Sequence, residues 1–362
     1  MRQLLLALLI AGLPIHASAW ILVDAIDNPP SLELPILCCN HRCVPGQGAG
    51  CPETGFGSVG YAFEIQEANV TVAEYLAFLN AVAASDPQVL WGRWMKPQIV
   101  RSGLHPSYSY ALAAPGLGQR PAVFVDLFDA FRYANWMHNG QPVGPQDAAS
   151  TEDGAYTLLG QNPPWVQRNA GASYFVANED EWYKAAYYDP ASQTYSRFSW
   201  GEALPRGLPP GFATRPEDTN LCAPPVPQNW NCECPITEGL GVATDVCAYP
   251  GRSAYGLCDT TGNLFEILET REVSSGGVGA PPRGTVLAVI RGGSFGNPGF
   301  CDAAADGRNF TNADTSCAWC GVRLARQPQL SVPAPEPSSR ALGLAMLAAL
   351  AGLRSLSGPR PG

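Results

Sequence analysis

The chain has 362 residues, a formal net charge of −9 and only 15% charged residues. Its 46% hydrophobic and 10% aromatic content excludes intrinsic disorder, and the lack of a basic stripe argues against nucleic-acid binding. Gly 38 and Pro 34 together form about a fifth of the sequence, which excludes collagen and coiled coil and points to a loop-rich globular chain.

Taken in order, residues 1–19 (MRQLLLALLIAGLPIHASA) place one Arg before a short apolar run and end on small residues. This is the pattern of a secretory signal peptide cut before Trp20. Residues 20–56 form a Cys-rich N-terminal extension, with Cys38, Cys39, Cys43 and Cys51 close together. Thr71 and Glu74 make a capping box that opens a helix carrying Tyr75, Leu76, Leu79 and Val82 on one stripe. Residues 122–125 read as a strand. Asp126 caps a second helix that runs through Phe128, Phe131, Arg132, Asn135 and Trp136 and ends at Asn139-Gly140. A strand over 174–176 leads to a third helix opened by Asn178 and stopped by Asp189-Pro190, with Trp182 in its core stripe. After a Pro/Gly-rich stretch over 201–250, strands are predicted over 286–291 and 321–325. Short apolar runs, few helices and long connections predict an irregular, loop-rich α+β domain.

The remaining Cys are Cys222, Cys232, Cys234, Cys247, Cys258, Cys301, Cys317 and Cys320. Twelve Cys in an exported chain read first as disulfides. Cys232/Cys234 with Cys317/Cys320 could instead form two arms of a zinc site, although none of the four His lies near them. Neither His105 nor His138 belongs to a metal-ligand pattern, and no GxSxG elbow occurs.

The landmarks fall in the order of a known family. GSVGYAFEIQEANVTVAEYLAFLNAV (57–82), RPAVFVDLFDAFRYANWMHNG (120–140), YFVANEDEWYKAAYYDP (174–190), AYGLCDTTGNLFEIL (254–268), RGGSF (291–295) and GVRLAR (321–326) resemble successive segments of the formylglycine-generating enzyme, or sulfatase-modifying factor, domain. The resemblance covers a domain over 57–328. It implies the irregular C-type-lectin-like fold of that family and, for its name enzymes, oxidation of a sulfatase Cys with copper held by two thiolates and molecular oxygen. Thiolates suit Cu(I), a soft ion. Here Asn297 stands where the resemblance places the first thiol, and Cys301 lies one residue short of the second. Ser294 and Cys301 are the catalytic candidates, with Cys317 or Cys320 as possible disulfide partners of Cys301. The resemblance also implies a structural Ca2+ held by Asn263, the carbonyl of Leu264 and Glu266, with Asn220 and Leu221 at a second loop. Oxygen donors of these kinds suit Ca2+.

Residues 329–362 resemble a PEP-CTERM sorting signal: Pro335-Glu336-Pro337, a short apolar helix over 341–353, then Arg354 and Arg360. That resemblance implies a Gram-negative bacterial host, transient holding in the inner membrane through the helix, and an exosortase-type sorting enzyme as partner. The sequence reading is therefore an exported surface or matrix protein. It lacks the first copper thiol and binds a ligand such as exopolysaccharide. The alternatives are a formylglycine-generating oxidase or another enzyme on the same scaffold.

Overall fold

The computed structural model describes residues 18–31, 55–201, 219, 243–277, 280–296 and 302–329. The chain from Met1 to Gln327 clusters as one unit. The sorting-signal segment, the clusters around Cys38 and Cys232, and the candidates Asn220, Leu221, Asn297 and Cys301 lie outside the described residues.

The chain opens on β1 (Trp20–Val23), which pairs antiparallel with β2 (Phe63–Gln66). The N-terminal extension thus adds an edge strand to the domain. It is fastened by Trp20, whose ring lies under the Arg326 guanidinium at 4.3 Å and edge-on to Tyr174. Helix α1 (Val72–Val82) begins at the Thr71/Glu74 capping box, in which the Thr71 side chain accepts from the Glu74 amide and the Glu74 carboxylate accepts from the Thr71 amide. A hairpin of β3 (Ile99–Ser102) and β4 (Ser109–Leu112) follows, and then α2 (Leu127–His138), capped by Asp126 as the sequence predicts. Strand β5 (Tyr174–Val176) leads into α3 (Glu179–Tyr187), capped by Asn178. That helix stops before Asp189-Pro190 because Tyr188 and Asp189 form β6 (Tyr188–Asp189) and pair with β7 (Thr194–Tyr195). The last third of the chain supplies β8 (Phe265–Val273), β9 (Val286–Arg291), β10 (Asn309–Asn312), β11 (Cys320–Val322) and β12 (Leu324–Arg326).

Among the described residues, two four-stranded sheets carry the architecture, in the orders β1-β2-β12-β5 and β10-β9-β8-β11. Two sequence expectations need correction. Residues 122–125 are not a strand. The Ala122 amide donates to the Val70 carbonyl and the Phe124 amide to the Cys317 carbonyl, while Phe124 turns left-handed at φ 61°. These amides satisfy loop carbonyls, so no ladder forms. The single strand expected over 321–325 is two strands in different sheets, interrupted at Arg323.

The core is aromatic. Phe78 of α1 meets Tyr133 at 5.2 Å and Trp136 at 5.3 Å on α2, and Phe131 stacks on Tyr156 at 4.0 Å. Tyr75, Phe78, Leu79, Phe131 and Trp182 are fully buried. Each such side chain stabilises by roughly 1.5–3 kcal/mol. No helix of the described residues is long and apolar enough to cross a membrane.

Candidate functional site

The two segments that carry most of the candidate residues, 260–266 and 291–296, are zipped together through their backbones. The Gly262 amide donates to the Gly292 carbonyl at 2.6 Å, and the Phe295 amide donates to the Asn263 carbonyl at 3.0 Å. This close approach needs left-handed backbone at Gly262 (φ 94°) and Asn263 (φ 63°), which Gly and Asn adopt most readily. It also needs Gly292, where a Cβ would meet the Thr260 carbonyl oxygen at 2.9 Å. The Asn263 side chain reaches a third segment, with Oδ1 accepting from the Thr244 amide at 2.9 Å. Ser294 is fully buried, and its Oγ accepts from the Gly296 amide at 3.3 Å, so it holds the turn.

Glu266 projects from β8 into a dry setting. Its Oε2 accepts from Trp182 Nε1 at 2.7 Å and Arg323 Nε at 2.9 Å, and its Oε1 accepts from Arg323 Nη2 at 2.7 Å. Both side chains of this pair are 0% exposed. Arg323 also donates to the carbonyls of Gln66 and Cys258, so one guanidinium ties β2, β8 and the loop before it. Glu266, a member of the expected calcium set, thus has a buried guanidinium as its partner. Asn263 Oδ1, another member of that set, accepts from the Thr244 amide.

The four described cysteines form two disulfides, Cys247–Cys258 and Cys317–Cys320. Cys317 and Cys320 are therefore neither partners of Cys301 nor an arm of a zinc site. Copper, which needs two thiolates, finds no free thiol pair among the described residues. Glu67 brings a carboxylate oxygen within 4.8 Å of the Cys247 and Cys258 sulfurs, but both sulfurs are spent on their mutual bond. Beside them Asp259 accepts from the Cys247 amide at 2.7 Å, and burial pushes its carboxyl above the ordinary range.

Sequence reasoning missed the buried ion-pair clusters around this junction. Glu179 at the start of α3 accepts from both Arg291 and Arg308. Burial raises its pKa, but the two guanidiniums outweigh that and hold the carboxyl below its usual value. Glu181 takes Arg168 bidentately, at 2.8 and 2.9 Å, and accepts from the Tyr61 hydroxyl at 2.6 Å. Arg168 also pairs with Glu269. A signal was present in the composition: all but two of the 22 basic residues are Arg, whose planar fork suits bidentate buried pairs.

The family model described as sulfatase-modifying factor enzyme 1-like domain matches residues 57–328. Among solved structures, CarF is similar over 86% of this chain and 99% of its own, at 15% identity and a TM-score of 0.53. Treponema denticola variable protein 1 is similar over 85% of this chain and 95% of its own, at 16% identity and a TM-score of 0.49. PvdO from Pseudomonas aeruginosa is similar over 85% of this chain and 94% of its own, at 17% identity and a TM-score of 0.46. No curated protein matches the chain. The likeness to CarF shows a shared fold and says nothing of activity. The chain belongs to the sulfatase-modifying factor, or formylglycine-generating-enzyme-like, domain family and has its C-type-lectin-like α+β fold.

Proposed function

We propose that this protein is exported and acts at the cell surface or in the extracellular matrix as a binding protein, with exopolysaccharide as its ligand. The observation that carries the reading is the Cys317–Cys320 disulfide. It takes away the two cysteines that could have joined Cys301 in a repaired dithiolate, while Asn297 stands at the place of the first thiol. Asn supplies no thiolate, and Cu(I) needs soft sulfur ligands. The rest of the junction supports the same reading. Ser294 and Glu266 are buried and committed to framework bonds, which is the role of a scaffold.

In this reading the signal peptide at 1–19 directs export. The tail holds the chain transiently in the inner membrane until an exosortase-type enzyme processes it. Two measurements on the mature, folded protein test the reading together. A thiol titration yields fewer than two accessible thiols, and copper loading produces no oxygen uptake with a Cys-containing peptide. Copper-dependent uptake that disappears in Cys301→Ser would replace the binding reading with the oxidase.

A further inference from the structure

A cavity of about 360 Å3 opens between the loop carrying Trp165 and Gln167, the cap residue Asn178, and Glu269, Thr270 and Arg271 on β8, with Arg168 at its wall. Its volume falls near the lower end of the roughly 300–1,000 Å3 typical of small-molecule sites. It shares no lining residue with the 260–266 and 291–296 junction.

The cavity is held in shape before any ligand arrives. Arg271 donates Nη1 to the Pro164 carbonyl at 3.2 Å and Nη2 to the Val166 carbonyl, clamping the backbone on both sides of Trp165. Pro163 and Pro164 stiffen the approach to that residue. Trp165 nonetheless remains 48% exposed, an aromatic face fixed at the mouth of a polar cleft.

The polar groups are half-used in a consistent way. Asn178 spends its Oδ1 on the Glu181 amide, and its Nδ2 has no partner among the described residues. Thr270 accepts from the Glu179 amide at 2.9 Å, which leaves its hydroxyl proton to donate. Glu269 gives Oε2 to Arg168, and its Oε1 has no partner among the described residues. The Gln167 side-chain oxygen has no partner among the described residues, while its Nε2 donates to the Trp165 carbonyl. The cleft therefore offers two donors and two acceptors beside an exposed indole. Its charges cancel locally, because the guanidiniums of Arg168 and Arg271 stand against the carboxylates of Glu181 and Glu269.

We infer that this cleft binds a neutral hexose segment of a polysaccharide, with Trp165 stacking on a sugar face and Asn178, Thr270, Glu269 and Gln167 meeting its hydroxyls. Sugars present apolar C–H faces and mixed donor–acceptor edges, which is the complement of this lining. Local neutrality argues against a uronate chain. The inference rests on the surface-binding reading and names the site and ligand class for it.

The test uses affinity electrophoresis and tryptophan fluorescence of the mature protein with three soluble polymers: a mixed-linkage glucan, a galactomannan and polygalacturonate. At least one neutral polymer retards the wild type and shifts its indole emission. Trp165→Ala weakens that binding about tenfold, and Gln167→Ala weakens it by a smaller factor, with melting temperatures unchanged. Both positions are exposed, so the variants fold. Binding that is equal in both variants overturns the site while leaving the surface-binding reading in place. Salt-sensitive binding of polygalacturonate alone overturns the neutral ligand class. Absence of binding to either neutral polymer overturns the inference, whereas turnover of the Cys peptide removes the surface-binding reading itself.

Discussion

The Glu266–Arg323 pair shows how much one residue can organise. Arg323 uses its whole fork on Glu266 and two carbonyls with no exposure to solvent, so removing it strands a buried carboxylate. Breaking such a pair typically costs about 3–5 kcal/mol. Arg323→Leu is expected to lose stability on that scale in urea unfolding. Adding Glu266→Gln returns a large part of the loss, because the amide oxygen still accepts from Trp182 Nε1. Asp129 behaves in the opposite sense. Burial, and then the neighbouring Asp126 charge, raise its carboxyl well above the ordinary 3.8. Below that value the folded and unfolded states are both protonated and the group costs nothing. As pH rises, the unfolded chain ionises first and native stability falls. Asp129→Asn is therefore expected to stabilise the protein at pH 7, read as a raised denaturation midpoint. In melts across pH, the gain shrinks as the pH falls through the ordinary carboxylate range.

The three helices were legible in the sequence because each begins with a local signal, a capping box readable within four residues. Thr71→Ala should cost about 1 kcal/mol, read as a lowered denaturation midpoint at unchanged m-value. Strands were harder to read, for reasons visible in particular residues. β8 carries Glu269, Arg271 and Glu272 in its second half, so no apolar run marks it. β12 and β11 share one hydrophobic stretch but part company at Arg323, whose role depends on a carboxylate 57 residues earlier. The candidate site shows the same limit. The Glu266–Arg323 pair escaped notice because its two halves lie in separate segments. The Trp165 cleft was missed altogether, since its walls come from three separate stretches.

At the scale of the whole molecule, much of the chain between elements is loop, and covalent and ionic ties compensate. Cys247–Cys258 closes a separation of 11 residues beside the point where the Cys258 amide donates to the Glu67 carbonyl of the β2 segment. Constraining a loop of this size stabilises by about 3 kcal/mol in the chain-entropy picture. The Cys247→Ala/Cys258→Ala double variant is expected to melt several degrees lower, by calorimetry, with its fold intact.

The position of β12 has a consequence for the order in which this protein can become structured. The strand at 324–326 lies between β2 and β5, so residue 65 waits for residue 325 before its sheet is complete. Contacts this distant in sequence make folding slow, and a growing chain cannot make them until nearly the whole domain has been synthesised. Nascent chains released before residue 324 should be digested by protease as open polypeptide. Protection should then arrive in a single step once Arg326 has emerged. Under the export proposed above, a keystone delivered last keeps the chain pliable for the length of its passage through a membrane.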